Sequence, residues 1–151
     1  MNLAQLDSTF AIILIALLQF IFFTGRTGFS RNKYDIQAPK TVGNDHWERI
    51  FRVQQNTMEQ LVIFIPSMII FSLYLSPTWV ILPGVLFIIG RQIFSRLYIQ
   101  NPQSRGPGMI VSFLSNIILV VGSLIGVFTQ LAGASSSCLR KSASLNVLIF
   151  P

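Results

Sequence analysis

Residues 48–59, which carry Arg49, Arg52, Asn56 and Glu59, run directly into an apolar stretch at 61–75. That stretch falls about five residues short of the roughly 20 that a helix needs to cross a bilayer. The helix must draw the rest of its span from the polar stretch, which brings Arg, Asn and Glu to membrane depth. A charge in hydrocarbon costs on the order of 3 kcal/mol, so such residues face a protein interior or a wet cavity. The pattern predicts an integral membrane helix bundle that keeps a polar binding site within it.

Three more apolar segments occupy residues 6–23, 79–98 (interrupted by Arg91 and Arg96) and 109–131. Four spans joined by short loops explain why only 11% of residues are charged, against about 25% in soluble domains. They leave no room for a second, soluble domain. The expected fold is all-α: one four-transmembrane-helix domain at 1–132. The Ser-rich segment that follows, 133–151, is expected to be a flexible tail, with no role that the residues indicate. The first basic residue is Arg26, so the basic leader of a secretory signal is missing and the first run reads as a retained membrane helix.

A net charge of +6 raises the question of nucleic acid, and its distribution answers it. Arg26, Arg31, Lys33, Lys40, Arg49 and Arg52 lie between spans one and two, and Arg91, Arg96 and Arg105 flank the third connection. The N-terminus and the turn at 75–78 hold no basic residue. This is a positive-inside pattern, placing loops one and three in the cytoplasm and both termini outside; Arg140 and Lys141 run weakly against it. No nucleic-acid partner is expected. Cys138 and His46 are each the sole residue of their type, which argues against an intrachain disulfide, a Cys or His metal site and a Ser-His-Asp triad.

Local signals divide the chain further. Span one is expected to end near Gly25 to Gly28, followed by a polar loop at 30–43. Asp45 with Glu48 resembles a capping box, which starts the second helix around His46. Pro66 and the Pro83-Gly84 pair predict bends. Residues 101–108 read as a turn, with Pro107 placed to open span four, and Gly122 with Gly126 forms a small-xxx-small pair suited to close helix packing.

With about 100° per residue, Arg49, Arg52, Asn56 and Glu59 share one stripe roughly 80° wide, while Gln54 lies nearly opposite. On span three, Arg91, Phe94, Ser95 and Tyr98 share a stripe, and Arg96 points away toward the interface. Three readings of these stripes stand side by side: anchors and internal ion pairs, an anion-binding pocket, or an ion pathway. Arg forks favour bidentate carboxylate recognition, and Glu59 suits an ammonium, so a zwitterion with several carboxylates fits the set.

Arg52, Asn56 and Glu59, in the order Arg-x-x-x-Asn-x-x-Glu, resemble the signature of the MAPEG family (membrane-associated proteins in eicosanoid and glutathione metabolism). Gly90-Arg91 through Tyr98, then Arg105-Gly106-Pro107-Gly108, resembles that family's third helix and third loop. The resemblance covers roughly residues 6–131. It implies a homotrimer that binds glutathione, as co-substrate, between neighbouring subunits near the cytoplasmic side. Arg52, Asn56, Glu59, Tyr98 and Arg105 would line the site from one subunit, and Arg31 and Gln54 from the next. Arg105 matches the arginine that stabilises the glutathione thiolate in that family, so the resemblance implies that it is the catalytic residue. Two positions depart from the family pattern: Gln60 and Phe94 stand where many relatives carry tyrosine.

The function implied is a membrane-bound glutathione transferase of the microsomal type, acting on hydrophobic electrophiles and also, as a peroxidase, on lipid hydroperoxides. The alternative is a non-catalytic lipid-binding scaffold of the same family; the presence of Glu59 and Arg105 favours the enzyme. A small channel or transporter fits less well, because the charges lie near one face and inverted halves are lacking. Both a bacterial inner membrane and the endoplasmic reticulum suit such a chain.

Overall fold

A computed structural model describes residues 6–149, with residues 135–149 described by their backbone alone. Four α-helices run in sequence: α1 (Asp7–Lys33), α2 (Asp45–Tyr74), α3 (Ile81–Gln100) and α4 (Gly106–Ile149), with a 3₁₀ turn (Pro102–Arg105) between the last two. Each is long and apolar enough to cross a membrane. Leu14, Leu18, Phe22, Ile110, Phe113 and Leu114 are exposed on the outside of the bundle, a surface suited to lipid and not to water. The chain is thus a multi-pass integral membrane protein.

Short connections make sequence neighbours antiparallel, so loop one and the 3₁₀ turn meet at one end of the bundle. The polar and apolar parts of α2 form one continuous helix, as the short apolar stretch requires. It starts at Asp45, next to the expected His46, but its cap differs from the sequence expectation. The cap is Asn44, not Asp45: Asn44 Oδ1 accepts from the backbone N–H of His46 at 3.0 Å and Trp47 at 3.1 Å. Glu48 reaches back to the N–H of Gly43 at 2.9 Å instead of completing a box with Asp45. Gly43 sits at φ 138, where a side chain would be strained, so the entry to α2 depends on glycine there.

α1 also departs from expectation, running through Gly25 and Gly28 to Lys33. Glycine weakens a helix interior by about 1 kcal/mol, but packing offsets that here. Phe23 is buried against α2 and α3 residues Ile50, Val53 and Phe94, and Trp47 Nε1 donates to the Thr27 carbonyl at 3.3 Å. At the other limit, α4 continues as helix through 133–149, where the sequence suggests a flexible tail. No proline interrupts that stretch. The side chains of Cys138, Arg140 and Lys141 lie outside the described residues.

The main core joins Ile12 and Ala16 of α1, Phe64 and Met68 of α2, Phe87 of α3 and Leu119 of α4. Phe64 and Phe87 stack with centroids 4.0 Å apart. Gly122 and Gly126 do permit close packing: a Cβ on Gly122 would overlap the Phe71 ring, and one on Gly126 would lie 2.9 Å from Tyr74 Cβ. A second such contact, at Gly90 and Gly108, lets the backbones of α3 and α4 meet beside the 3₁₀ turn.

Candidate active site

At the end of the bundle that carries loop one and the 3₁₀ turn, α2, α3 and α4 line an open polar cavity of about 290 Å³. Arg52, Asn56 and Glu59 reach it from α2, Tyr98 from α3, and Arg105 from the 3₁₀ turn. Gln55, Phe94 and Met109 complete the lining. A smaller cavity of about 220 Å³ continues beneath loop one and shares Arg52, Gln55 and Glu59 with the first. Together they form a groove from Thr41 and Val42 to Arg105.

Local structure explains each placement. The helical stripe puts Arg52, Asn56 and Glu59 on one side of α2, and Asn56 Nδ2 faces Glu59 Oε2 at 3.4 Å. Tyr98 is held by its ring, stacked on Phe94 with centroids 5.3 Å apart and planes 11° from parallel. Asn101 opens the 3₁₀ turn by accepting from the N–H of Gln103 at 3.0 Å. The turn then ends at Arg105, and Gly108 anchors the start of α4 directly on the Phe94 backbone. Arg52, Glu59 and Arg105 remain exposed, so one wall of the groove is open.

Not every polar residue of the stripes belongs here. Arg49 donates to the Ile99 carbonyl at 3.4 Å and so serves the end of α3, where helix carbonyls lack internal partners. Arg91 is fully buried behind the cavity. Arg31 lies outside the cavity, bonded through a guanidinium nitrogen to the Lys40 carbonyl at 3.1 Å and stacked 4.7 Å from the Trp47 ring centre. Gln54 is half-buried on the reverse face of α2. Gln60 points away from the cavity, accepting at Oε1 from Asn116 Nδ2 at 2.8 Å. Gln55 and Met109 are absent from the sequence-based set. Gln55 falls just past the edge of the α2 stripe, and Met109 stands one helical turn after Arg105.

The family model of the MAPEG family matches residues 8–125. The chain belongs to the MAPEG family. Similar proteins include an uncharacterized protein of Synechocystis sp., 36% identical over 80% of this chain and 88% of its own length. Microsomal glutathione S-transferase 2 of Homo sapiens is 28% identical, covering 91% of this chain and 88% of the relative. The mouse protein of the same name is 30% identical over 80% and 82% of the two chains. Among the described residues no group of three or more His, Cys, Asp or Glu side chains is arranged to hold a metal ion.

Proposed function

We propose that this MAPEG protein is a glutathione transferase that joins the thiol sulfur of glutathione to hydrophobic electrophiles delivered from the bilayer. The observation that carries the reading is the convergence of Arg52, Asn56, Glu59, Tyr98 and Arg105 on one polar groove. Two guanidiniums can take the two carboxylates of the tripeptide or one carboxylate and a thiolate, while Glu59 accepts the ammonium. Relatives that bear the transferase name support the same assignment.

The chemistry follows from charge. A free thiol has a pKa of about 8.5, so little thiolate exists at neutral pH. A guanidinium about 4 Å away contributes roughly 4 kcal/mol at an effective dielectric of about 20. Half of that lowers the thiol pKa by more than one unit. Arg105 supplies that guanidinium. The thiolate attacks the electrophilic carbon and an S–C bond forms. The displaced group leaves with its electron pair, or the acceptor carries the pair until it is protonated.

The functional unit in this reading is a homotrimer whose neighbour closes the open wall of the groove, contributing Arg31 and Gln54. In this reading the groove faces the cytoplasm, which the positive-inside distribution of the basic loops supports. The test is titration of purified protein with glutathione, with turnover against a hydrophobic electrophile in the same detergent. Binding with turnover supports the transferase; lipid binding with neither supports the scaffold.

A further inference from the structure

Arg91 lies one layer beneath the groove and no step of the proposed reaction uses it. It is fully buried in α3. One terminal nitrogen donates to Asn56 Oδ1 at 2.9 Å, and the other to Thr57 Oγ1 at 2.7 Å. Its guanidinium also sits 4.5 Å from the centre of the Phe94 ring, which stacks on Tyr98. A buried cation is costly, and simple packing between α2 and α3 needs none. What Arg91 provides is a sense of direction. A guanidinium only donates, whereas a side-chain amide has one accepting and one donating end. By claiming the Asn56 oxygen, Arg91 turns the Asn56 NH2 group toward Glu59 and the cavity.

We infer that Arg91 is a positioning residue that locks the Asn56 amide with its donors facing the groove and supports the Phe94–Tyr98 wall, so that the site presents N–H groups to a carbonyl or carboxylate of the bound peptide. The inference rests on the glutathione reading for the identity of that peptide, but the locked amide belongs to the free protein.

The test has two parts. In ligand-free protein with 15N-labelled asparagine, the Asn56 side-chain amide gives one pair of signals with a high order parameter, unlike that of exposed Asn32. Arg91→Lys, and Arg91→Gln where the lysine variant does not assemble, shifts those signals and lowers their order parameter. A wild-type Asn56 amide as mobile as that of Asn32, or one unmoved by either substitution, overturns the proposal. In the second part, Arg91→Lys weakens glutathione binding about tenfold, the size of one charge-assisted hydrogen bond, and leaves the pH profile of turnover in place. In an Asn56→Ala background the same substitution costs less than about threefold, because the two act as a unit. A full tenfold loss in that background overturns the positioning role. Wild-type protein that binds no glutathione removes the transferase reading instead, and the amide signals then decide Arg91 alone.

Discussion

Gly108→Ala tests whether helix packing holds Arg105 in the groove. The added Cβ would overlap the Phe94 backbone nitrogen and lie 2.6 Å from Phe94 Cα and 2.8 Å from the Gly90 carbonyl oxygen. All of these are backbone atoms, so no rotamer change relieves the overlap. α3 and α4 must part by roughly 1 Å to restore carbon contacts of about 3.5 Å. Overpacking of this kind costs about 1–3 kcal/mol of stability. Arg105 precedes Gly108 by three residues, so it moves with α4, and a misplacement of about 1 Å reduces turnover by roughly 100-fold. Glutathione binding falls far less, because Arg52, Asn56 and Glu59 stay fixed on α2. Gly106→Ala is the matched control in the same loop: its φ is −50 and a Cβ there meets nothing within 4 Å. It is expected to be neutral, or stabilising by about 0.4–1 kcal/mol through the unfolded chain. The assay is turnover, glutathione affinity and thermal stability of both variants in one detergent. Equal behaviour of the two alanines would refute the argument that close α3–α4 contact positions Arg105.

Glu59→Gln and Arg52→Ala each weaken glutathione binding by about tenfold or more, the scale of a lost charge-assisted contact, with the assembly intact; calorimetric titration checks this, and assembly failure with unchanged affinity would make both residues structural. Asn44→Ala removes the α2 cap and lowers stability by about 1 kcal/mol, while Asp45→Ala has a smaller effect; thermal unfolding of the pair compares them. Native mass measurement in detergent is expected to find three copies, and a monomer with full glutathione affinity would exclude a shared site.

The helical frame was legible because apolar run length is a direct physical requirement of the bilayer. The short run at 61–75 also signalled that polar residues share the second span, and α2 carries both. Helix ends were less legible. Gly25 and Gly28 weaken a helix locally, but Trp47 and Phe23 bring tertiary contacts that no local signal contains. The stripe of Arg49, Arg52, Asn56 and Glu59 specified a face of α2 without specifying what stood opposite each residue. Arg49 meets the end of α3, Asn56 meets Arg91 while also lining the cavity, and Arg52 and Glu59 open on the cavity. Gly90 and Gly108 are distant in sequence, so their meeting was invisible, whereas Gly122 and Gly126 carry their spacing on one helix.

The most direct test of the account is the ultraviolet absorbance of the thiolate when glutathione is added to purified protein across a pH series, for wild type, Arg105→Lys and Arg105→Ala. The wild-type complex is expected to develop thiolate absorbance more than one pH unit below free glutathione, with turnover rising over the same interval. Arg105→Ala should move both curves to higher pH, losing most activity at neutral pH and recovering part of it in alkali. Arg105→Lys should lie between, since it keeps the charge and loses the fork. Bound glutathione that ionises at the same pH in all three proteins would contradict the central claim that Arg105 stabilises a thiolate in this groove.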